Sequence, residues 1–172
     1  MLFTELESER LIFRKYTLED TPQIFFLRTD ELVNKFIKRE GPTKIKEVKD
    51  FIIKTNASID NNTLYNWAIC LKGETKLIGT ICLWNLSKDR KTAEIGYALH
   101  PSYQKKGIMD EALKTIIKHG FTELGFQTIE AFTSKKNAAS TKLLLRNNFI
   151  LESTRRDKDD KNNRIYILKN RY

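Results

Sequence analysis

The chain has 172 residues, a length that suits one domain of ordinary size with a well-buried core. Hydrophobic residues make up 40% and charged residues 31% of the sequence, a balance that disfavours a disordered chain, and no apolar run approaches the roughly 20 residues of a membrane-spanning helix. The net charge of +9 attracts polyanions in general, but the sequence contains no zinc-finger spacing and no aromatic signature of an RNA-binding sheet, so nucleic acid is not the expected partner.

The first part of the chain predicts one strand and two helices. Alternating polar and apolar residues over 10–16 predict the strand. Thr17 then stands where a helix N-cap belongs, with Asp20 three residues later. A second helix is expected to begin with Thr43 as its cap. The residues expected on its buried stripe are Ile45, Val48, Phe51 and Ile52.

The middle of the chain predicts three strands and a helix. Residues 64–71 and 76–85 are rich in β-formers and flank a Lys-Gly-Glu turn at 72–74, a pattern that favours a hairpin, and a third strand spans 91–99. The hydrophobic period then changes to that of a helix ending near Gly125. The apolar residues at this helical spacing are Ile108, Ala112, Leu113, Ile116, Ile117 and Phe121.

The last part predicts a strand over 127–133, a helix over 137–146, a strand over 148–153, a charged turn over 157–163 and a strand over 164–169. Helices that follow strands favour some parallel pairing with both faces of the sheet covered, whereas hairpins add antiparallel pairs. We therefore expect an α/β protein with a mixed central sheet of about seven strands and helices on both faces. No internal repeat or boundary divides the chain, so one domain is expected over all its residues.

The cysteines and histidines are too few and too scattered for a metal site or a disulfide framework. Cys70 and Cys82 are the only cysteines, and with His100 and His119 they form no cluster with zinc-ligand spacing. Both cysteines fall on predicted neighbouring strands, at positions that the hairpin register does not place opposite each other. Two isolated thiols suit a reducing cytoplasm, so we expect a cytoplasmic protein without a metal or a secretory signal.

The segment with the clearest chemical meaning runs from Glu94 to Ala112. A strand ends near Leu99, and a short loop with two lysines and Gly107 leads directly into a helix. The first turn of a helix has unpaired backbone N–H groups and a partial positive charge, so a phosphate or pyrophosphate can bind there, and glycine lets the backbone approach it closely. An ordinary strand–loop–helix connection is the alternative interpretation of these features.

The same segment resembles the acetyl-CoA loop of the GNAT N-acetyltransferase superfamily, whose pattern is Gln/Arg-x-x-Gly-x-Gly/Ala. Gln104 fills the first position and Gly107 the central one, whereas Met109 stands where glycine or alanine is usual. The preceding Glu-Ile-Gly-Tyr and the following Glu-Ala most resemble the RimJ/RimL-like branch. That branch acetylates protein N-termini and, in many relatives, small amines.

A second match lies downstream. Asn137-Ala-Ala-Ser140, followed by a helix ending in Asn147-Asn148-Phe149, resembles the family's Asn-x-x-Ala/Ser and the helix ending in Gly-Phe. Asn148 replaces the usual glycine, and asparagine is the next best residue for a left-handed helix end. Together the two motifs cover the C-terminal two thirds of the chain.

The resemblance implies a GNAT-like fold with acetyl-CoA as co-substrate. The strand over 91–99 would splay from its neighbour and open a slot, residues 98–100 would lie along the pantetheine arm, and residues 104–109 would hold the pyrophosphate. Asn137 would anchor the cofactor or the backbone, although asparagine is also an ordinary helix cap. The cofactor-binding residues expected from the resemblance are Ala98, Leu99, His100, Gln104, Lys105, Lys106, Gly107, Ile108, Met109 and Asn137.

Acetyl transfer to an amine needs a neutral nitrogen, a polarised thioester carbonyl and a protonated departing thiol. Because a free amine has a pKa of about 10, a base must take its proton near neutral pH. Glu94, on the strand beside the expected thioester, is the candidate base, acting through a water; the alternative is a surface or structural glutamate. A backbone N–H near Leu99 would stabilise the charge that develops on the carbonyl oxygen.

The general acid must differ from the one that many relatives use. Their tyrosine, seven residues after the asparagine, corresponds here to Leu144, which cannot donate a proton. Ser140 stands where the RimJ/RimL-like branch carries a serine and is the candidate donor to the departing thiolate. The alternative for Ser140 is a hydroxyl satisfied by the backbone four residues earlier.

We therefore expect an N-acetyltransferase that works by direct attack in a ternary complex, because neither cysteine has a histidine near it in sequence. The alternative is a non-catalytic acyl-CoA-binding domain that acts as a sensor or interaction module. Candidate acceptors are the N-terminal amine of a ribosomal or other protein, a polyamine and an aminoglycoside-like amine. The net charge favours a peptide unless a local acidic pocket reverses it. The final strand offers an edge for a homodimer.

Overall fold

The computed structural model describes residues 3–171, which form one eight-stranded sheet with helices packed on both faces. The strands are β1 Leu6–Glu7, β2 Leu11–Arg14, β3 Tyr65–Leu71, β4 Leu77–Trp84, β5 Thr92–Leu99, β6 Thr128–Ser134, β7 Ile150–Glu152 and β8 Asn163–Lys169. The helices are α1 Thr21–Thr29, α2 Glu31–Asn34, α3 Ile45–Asp60, α4 Ile108–Thr122 and α5 Ala138–Arg146.

The order of the strands across the sheet is β1-β2-β3-β4-β5-β6-β8-β7, and β5 and β6 run parallel while the other neighbours run antiparallel. The predicted mixed α/β sheet is therefore confirmed. The strand beyond the predicted number is β1, which pairs Leu6 with Phe13 and Glu7 with Ile12. A strand of two residues is too short to show the alternation by which strands are found in a sequence.

Alternation along β3 divides the core between the two faces of the sheet. Trp67 and Ile69 pack in the larger cluster with the apolar stripe of α4, whereas Ala68 packs in a second cluster with residues of α1 and α3. Successive side chains of a strand point to opposite faces, so one buried strand serves both layers. The predicted stripe of α4 lies entirely within the core.

The N-terminal helices differ in detail from the predictions. Thr17 precedes a 3-10 turn at Leu18–Asp20 rather than α1 itself. Helix α3 begins at Ile45 with Lys44 at the N-cap, because Thr43 lies one residue further out and pairs its N–H and hydroxyl with the carboxylate of Glu47. The prediction that Ile45 is buried was wrong: at the first position of the helix its side chain is exposed, whereas Val48 and Ile52 are buried.

The thiols of Cys70 and Cys82 are free, and the register places Leu77 opposite Cys70 and Asn66 opposite Cys82, as predicted. Within residues 3–171, no helix combines the length and the apolar character that crossing a bilayer requires. The same residues contain no group of three or more histidine, cysteine, aspartate or glutamate side chains arranged to hold a metal ion.

The feature that positions the functional site is the separation of β5 from β6. The two strands pair only at Thr92–Thr128, Ala93–Ile129 and Glu94–Glu130, although β5 continues to Leu99 and β6 to Ser134. Beyond Glu94, β5 keeps its antiparallel pairing with β4, and β6 keeps its pairing with β8. The sheet therefore has a gap between two parallel strands in its middle.

Candidate active site

A cleft of about 660 Å³ lies in this gap and extends over one face of the sheet. Residues of β4 and β5 line it, including Thr80, Cys82 and Gly96. One wall consists of α1 and the segment 36–39. The start of α5 and residues of the turn at 157–160 also line the cleft, and Asp160 of this turn pairs with Lys38 of the segment 36–39 at 3.0 Å. Both candidate catalytic residues, Glu94 and Ser140, line this cleft.

Glu94 stands at the last paired position of β5, where the strands begin to separate. Burial raises the pKa of this carboxyl to about 7, and the negative charges of Asp157 and Glu130 act in the same direction. The amide of Asn85 donates to Glu94 Oε2 at 3.3 Å and opposes the shift. A partly buried carboxyl with a pKa near 7 can accept and release a proton at neutral pH, which an ordinary surface glutamate does not do.

Ser140 is joined to β5 by a side-chain hydrogen bond to Tyr97. The two hydroxyl oxygens are 2.8 Å apart, and either can be the donor. Burial raises the pKa of Tyr97 to about 12, against the influence of the Ser140 bond, so the phenol stays protonated at neutral pH. This contact differs from the backbone bond that was the alternative for Ser140. It creates a pair of hydroxyl groups at the cleft.

Asn137 holds Ser140 in this position. Its Oδ1 accepts a hydrogen bond from the N–H of Ser140 at 3.1 Å, which makes Asn137 the N-cap of α5, as its cap interpretation predicted. Asn137 also lines the cleft. Leu144, at the position of the tyrosine in many relatives, is buried in the core.

The loop between β5 and α4 has the geometry of an anion-binding helix start. Gly107 is the N-cap of α4 with φ +74, and Lys105 has φ +61. Both values lie in the left-handed region, which glycine adopts without strain and lysine does not. The side chains of Ile108 and Met109 are buried in the core, so these two residues face a ligand through backbone N–H groups alone. A bulky residue at position 109 is accommodated because it packs inward.

Arg10, which the sequence analysis missed, covers this loop. Its Nε donates to Glu111 Oε2 at 2.6 Å and its Nη1 donates to the carbonyl oxygen of Lys106 at 3.1 Å. A Cβ atom at position 107 would lie 3.4 Å from Arg10 Nη2. Arg10 is 101 residues from Glu111 and 96 residues from Lys106 in the chain, so no local pattern could have found it.

Residues 98–100 differ in how their backbones face the gap. His100 donates its N–H to Ile78 of β4 at 2.9 Å, and backbone groups alternate in direction along an antiparallel pair. Leu99 therefore turns its N–H and C=O away from β4, towards the gap, and its carbonyl accepts from Gln104 Nε2 at 3.1 Å. Ala98 faces Thr80 of β4. The His100 ring stacks on Phe26 at 4.5 Å between centroids, and its Nδ1 accepts from the N–H of Ser102.

The comparisons with known proteins agree with this geometry. Residues 10–150 match the sequence model of the family described as "Acetyltransferase (GNAT) domain". The uncharacterized N-acetyltransferase YoaA of Bacillus subtilis (strain 168) is 30% identical over 155 residues, which cover 90% of this chain and 88% of that protein. The ribosomal-protein-serine acetyltransferase of Escherichia coli (strain K12) is 40% identical over 82 residues, which cover 46% of this chain and 44% of that protein.

The fold has a solved counterpart in RimL, a ribosomal L7/L12 alpha-N-protein acetyltransferase in complex with coenzyme A. The two structures superpose with a TM-score of 0.80 at 20% identity, over 96% of this chain and 98% of that one. The match over most of the chain to a family of enzymes, together with the separated strands and the glycine-initiated helix, establishes that this chain belongs to the GNAT acetyltransferase family, with ribosomal-protein acetyltransferases among its homologues and structural neighbours.

Proposed function

We propose that the protein transfers the acetyl group of acetyl-CoA to a primary amine by direct attack in a ternary complex. The observation that carries this proposal is the placement of two proton-handling groups along one strand at the gap. Glu94, with a pKa near 7, stands where the strands separate, and Tyr97, bonded to Ser140, follows three residues later. A base for the amine and a hydroxyl pair for the departing thiol thus line the same cleft.

The residues of the loop and of β5 fit acetyl-CoA. The start of α4 supplies unpaired N–H groups beside Lys105, Lys106 and Gly107, which suits a pyrophosphate. The backbone groups of Leu99 face the gap, where an amide-containing arm can pair with them as an added strand would. When bound, acetyl-CoA supplies the activated acetyl group. The side chain of Gln104 is already bonded to Leu99, which fixes the turn between the strand and the helix.

Glu94 is the candidate base for the attacking amine. Above pH 7 most of its carboxyl is ionised, yet it binds a proton far more readily than an exposed glutamate because its charge is partly desolvated. The protonated amine is attracted to the same place, since the carboxylates of Glu94 and Asp157 both line the cleft. The proton passes to Glu94 either directly or through a water.

Ser140 and Tyr97 hold a proton for the departing thiol. Their hydroxyl groups are bonded to each other, and the raised pKa of Tyr97 keeps the phenol protonated at neutral pH. A thiolate that forms beside Ser140 can accept a hydrogen bond from this pair, which stabilises its charge until it is protonated. Asn137 fixes the Ser140 backbone, so the donor is oriented before the reaction begins.

We infer that the acceptor is the N-terminal amine of a protein or an amine of related chemistry. The names of the E. coli relative and of the RimL structure, both acetyltransferases of ribosomal proteins, support a protein acceptor. Asp157, whose charge acts on Glu94, and Asp159 line the cleft together with Asp160, which is paired with Lys38 at 3.0 Å. An amine near Glu94 therefore meets negative charge although the chain as a whole is basic.

The proposal is tested by calorimetric titration of the protein with coenzyme A and acetyl-CoA, comparing wild type with Gly107→Glu. We expect micromolar binding in the wild type and its loss in a folded Gly107→Glu variant, because the new side chain brings a negative charge to the start of α4. With peptide amines as acceptors, Ser140→Ala should lower kcat by roughly a hundredfold with little change in cofactor affinity. Binding that is indifferent to Gly107→Glu would contradict the proposal, and binding without turnover of any amine would indicate a sensor.

A further inference from the structure

The cleft wall formed by α1 and the segment after α2 carries two arginines without a carboxylate partner. Arg28 is partly buried, and its guanidinium carbon lies 4.2 Å from the ring centroid of Phe51. Arg39 donates from Nη2 to Asn34 Oδ1 at 2.8 Å and to the carbonyl of Leu27 at 3.3 Å. Both side chains line the cleft. Across residues 3–171, no carboxylate lies within ion-pair distance of either guanidinium.

The two arginines repel each other, and residues 3–171 place no carboxylate beside them. Desolvation of the guanidinium and then the positive charge of Arg28 lower the pKa of Arg39 to about 10, although Arg39 as a whole is exposed, and burial lowers the pKa of Arg28. By contrast, the partly buried Arg14 is neutralised by a bidentate ion pair with Asp20, in which both N–O distances are 2.8 Å. Arg28 is partly buried and Arg39 is exposed, so the two guanidinium groups form a positively charged patch on the cleft for which residues 3–171 supply no carboxylate partner.

The charges that line the cleft fall into an acidic group and a basic group, which are joined where Lys38 pairs with Asp160 at 3.0 Å. The groups that raise the pKa of Glu94 electrostatically are Asp157 and Glu130, both negative, whereas the charged neighbour that lowers the pKa of Arg39 is Arg28. Cys82 also lines the cleft, and the charges of both Glu94 and Arg39 influence the pKa of its thiol. The acidic residues match an ammonium group, and the two arginines match an anion.

We propose that the acceptor carries a carboxylate close to its amine, and that Arg28 and Arg39 bind this carboxylate while the amine faces Glu94. The planar fork of a guanidinium binds a carboxylate through two parallel hydrogen bonds, which gives direction as well as affinity. The proposal rests on the proposed acetyl transfer and goes beyond it by naming the acceptor class. That class is a zwitterion: a peptide N-terminus followed by an acidic residue, or a small amino acid. Acceptors with only cationic groups, such as polyamines, are excluded by it.

Matched acceptors test this proposal. One set consists of tetrapeptide amides that begin with serine and carry glutamate at position 2, 3 or 4, each compared with its glutamine counterpart. The other compares 4-aminobutyrate with 4-aminobutyramide, and so distinguishes a small molecule from a peptide. Release of free coenzyme A thiol gives kcat and KM for each acceptor. We expect at least one acidic acceptor to exceed its amide by about tenfold or more in kcat/KM, mainly through KM.

Variants separate anion binding from a structural role of the arginines. Arg28→Gln and Arg39→Gln should bring the acidic-to-amide ratio of kcat/KM close to one, and Arg28→Lys should restore part of it. Lys54→Gln removes an equal charge from the exposed face of α3 and should leave the ratio unchanged. Equal losses for acidic and amide acceptors in the arginine variants would mean that these residues only stabilise the wall. A wild-type ratio near one for every pair would also overturn the proposal.

A binding experiment keeps the proposal separate from catalysis. The N-acetylated forms of the same peptides and of 4-aminobutyrate are titrated into the protein saturated with coenzyme A. Selective binding of an acidic ligand, lost in Arg28→Gln, would support the arginine site even if no amine were acetylated. The absence of acetylation would then contradict the proposed acetyl transfer but not the arginine site. Equal binding of acidic and amide ligands would overturn the arginine site and leave acetyl transfer unaffected.

Discussion

Burial gives the carboxyl of Glu94 a property that its sequence position does not reveal. The pKa rises from 4.5 to about 7 because the charged form is partly desolvated and faces two further carboxylates. In an unfolded chain the same group has an ordinary pKa, so the folded protein binds one more proton than the unfolded one between about pH 4.5 and 7. The contribution of Glu94 to stability is therefore present at low pH and is lost as the pH rises through 7.

We predict two opposite effects of Glu94→Gln. Acetylation in the wild type should increase with pH with an apparent pKa near 7, and this increase should disappear in the variant together with most of the activity. The melting temperature of the variant should match the wild type near pH 5 and exceed it above pH 8, because no charge has to be buried there. Thermal unfolding monitored by circular dichroism at the two pH values measures the second effect. A destabilised variant at pH 8 would contradict the burial argument.

The motifs contain several of the residues that the structure places near the cleft. Glu94 and Ser140 line it and Gly107 begins α4, whereas their roles in binding and catalysis stay predictions. Tyr97 was missed even though it ends the quoted Glu-Ile-Gly-Tyr segment, because only the fold brings its hydroxyl to Ser140. No sequence motif marks Arg28. Its interest as a binding residue depends on the absence of a carboxylate near its guanidinium in the folded residues 3–171, which a sequence pattern does not show.

At the scale of elements, helix ends illustrate how backbone strain selects residues. Helix α5 ends at Arg146, and Asn148 follows with φ +64, in the left-handed region where the usual family residue is glycine. The N–H of Phe149 then reaches back to the carbonyl of Leu144 at 3.1 Å and leads the chain into β7. The side chain of Asn148 is exposed, so this residue is selected by its backbone rather than by packing.

We therefore predict that Asn148→Ala lowers the free energy of unfolding by about 1 kcal/mol, because alanine tolerates a positive φ poorly. Asn148→Gly should be close to neutral, since glycine adopts this conformation without strain. Urea unfolding of the two variants and the wild type provides the measurement. Neither change should alter kcat, as the position lies outside the cleft. Equal stability of the alanine and glycine variants would show that backbone strain is not what asparagine relieves here.

Long elements, in which the hydrophobic pattern repeats several times, were predicted well, and short elements were not. The buried stripe of α4 is confirmed from Ile108 to Phe121, because fifteen helical residues show the pattern several times. Helix α2, with four residues, and strand β1, with two, are too short to show any period. The exposed Ile45 shows the related limit at a helix start, where the first turn extends beyond the core.

At the scale of the whole molecule, Arg10 links the start of β2 to the loop before α4. It lies just before β2, pairs with Glu111 in α4 and bonds the Lys106 carbonyl, so it fixes the loop against the sheet. Ser8 donates to the same carboxylate at 2.7 Å. Glu111 would stand beside a bound pyrophosphate as an uncompensated negative charge if Arg10 were removed.

Arg10→Met should therefore weaken coenzyme A binding by about tenfold or more, through both loop position and charge. Arg10→Lys keeps the positive charge but not the forked donors of the guanidinium. Its affinity for coenzyme A should lie between those of Arg10→Met and the wild type. Calorimetry at low and moderate salt measures both affinities. An Arg10→Met protein that is folded and binds coenzyme A as tightly as the wild type would show that the loop is held by other contacts.

The sequence predicts the fold class but not the order of the strands in the sheet. Local patterns indicate a mixed sheet with helices on both faces, yet they do not state which strands are neighbours or where pairing stops. The splaying of β5 came from the family resemblance rather than from the residues themselves, and the three-pair contact with β6 specifies its extent. Long-range facts of this kind depend on packing across the sheet, which no short window of sequence contains.

The gap in the sheet also has a mechanical consequence. Strands β1 to β5 form one block and β6 to β8 another, and three backbone pairs at one end of the gap are the strand contact between them. A sheet joined along so short a seam hinges about that seam more readily than a fully paired sheet. A molecule that binds along the exposed edge of β5 would bridge the two blocks and restrict hinging about this seam.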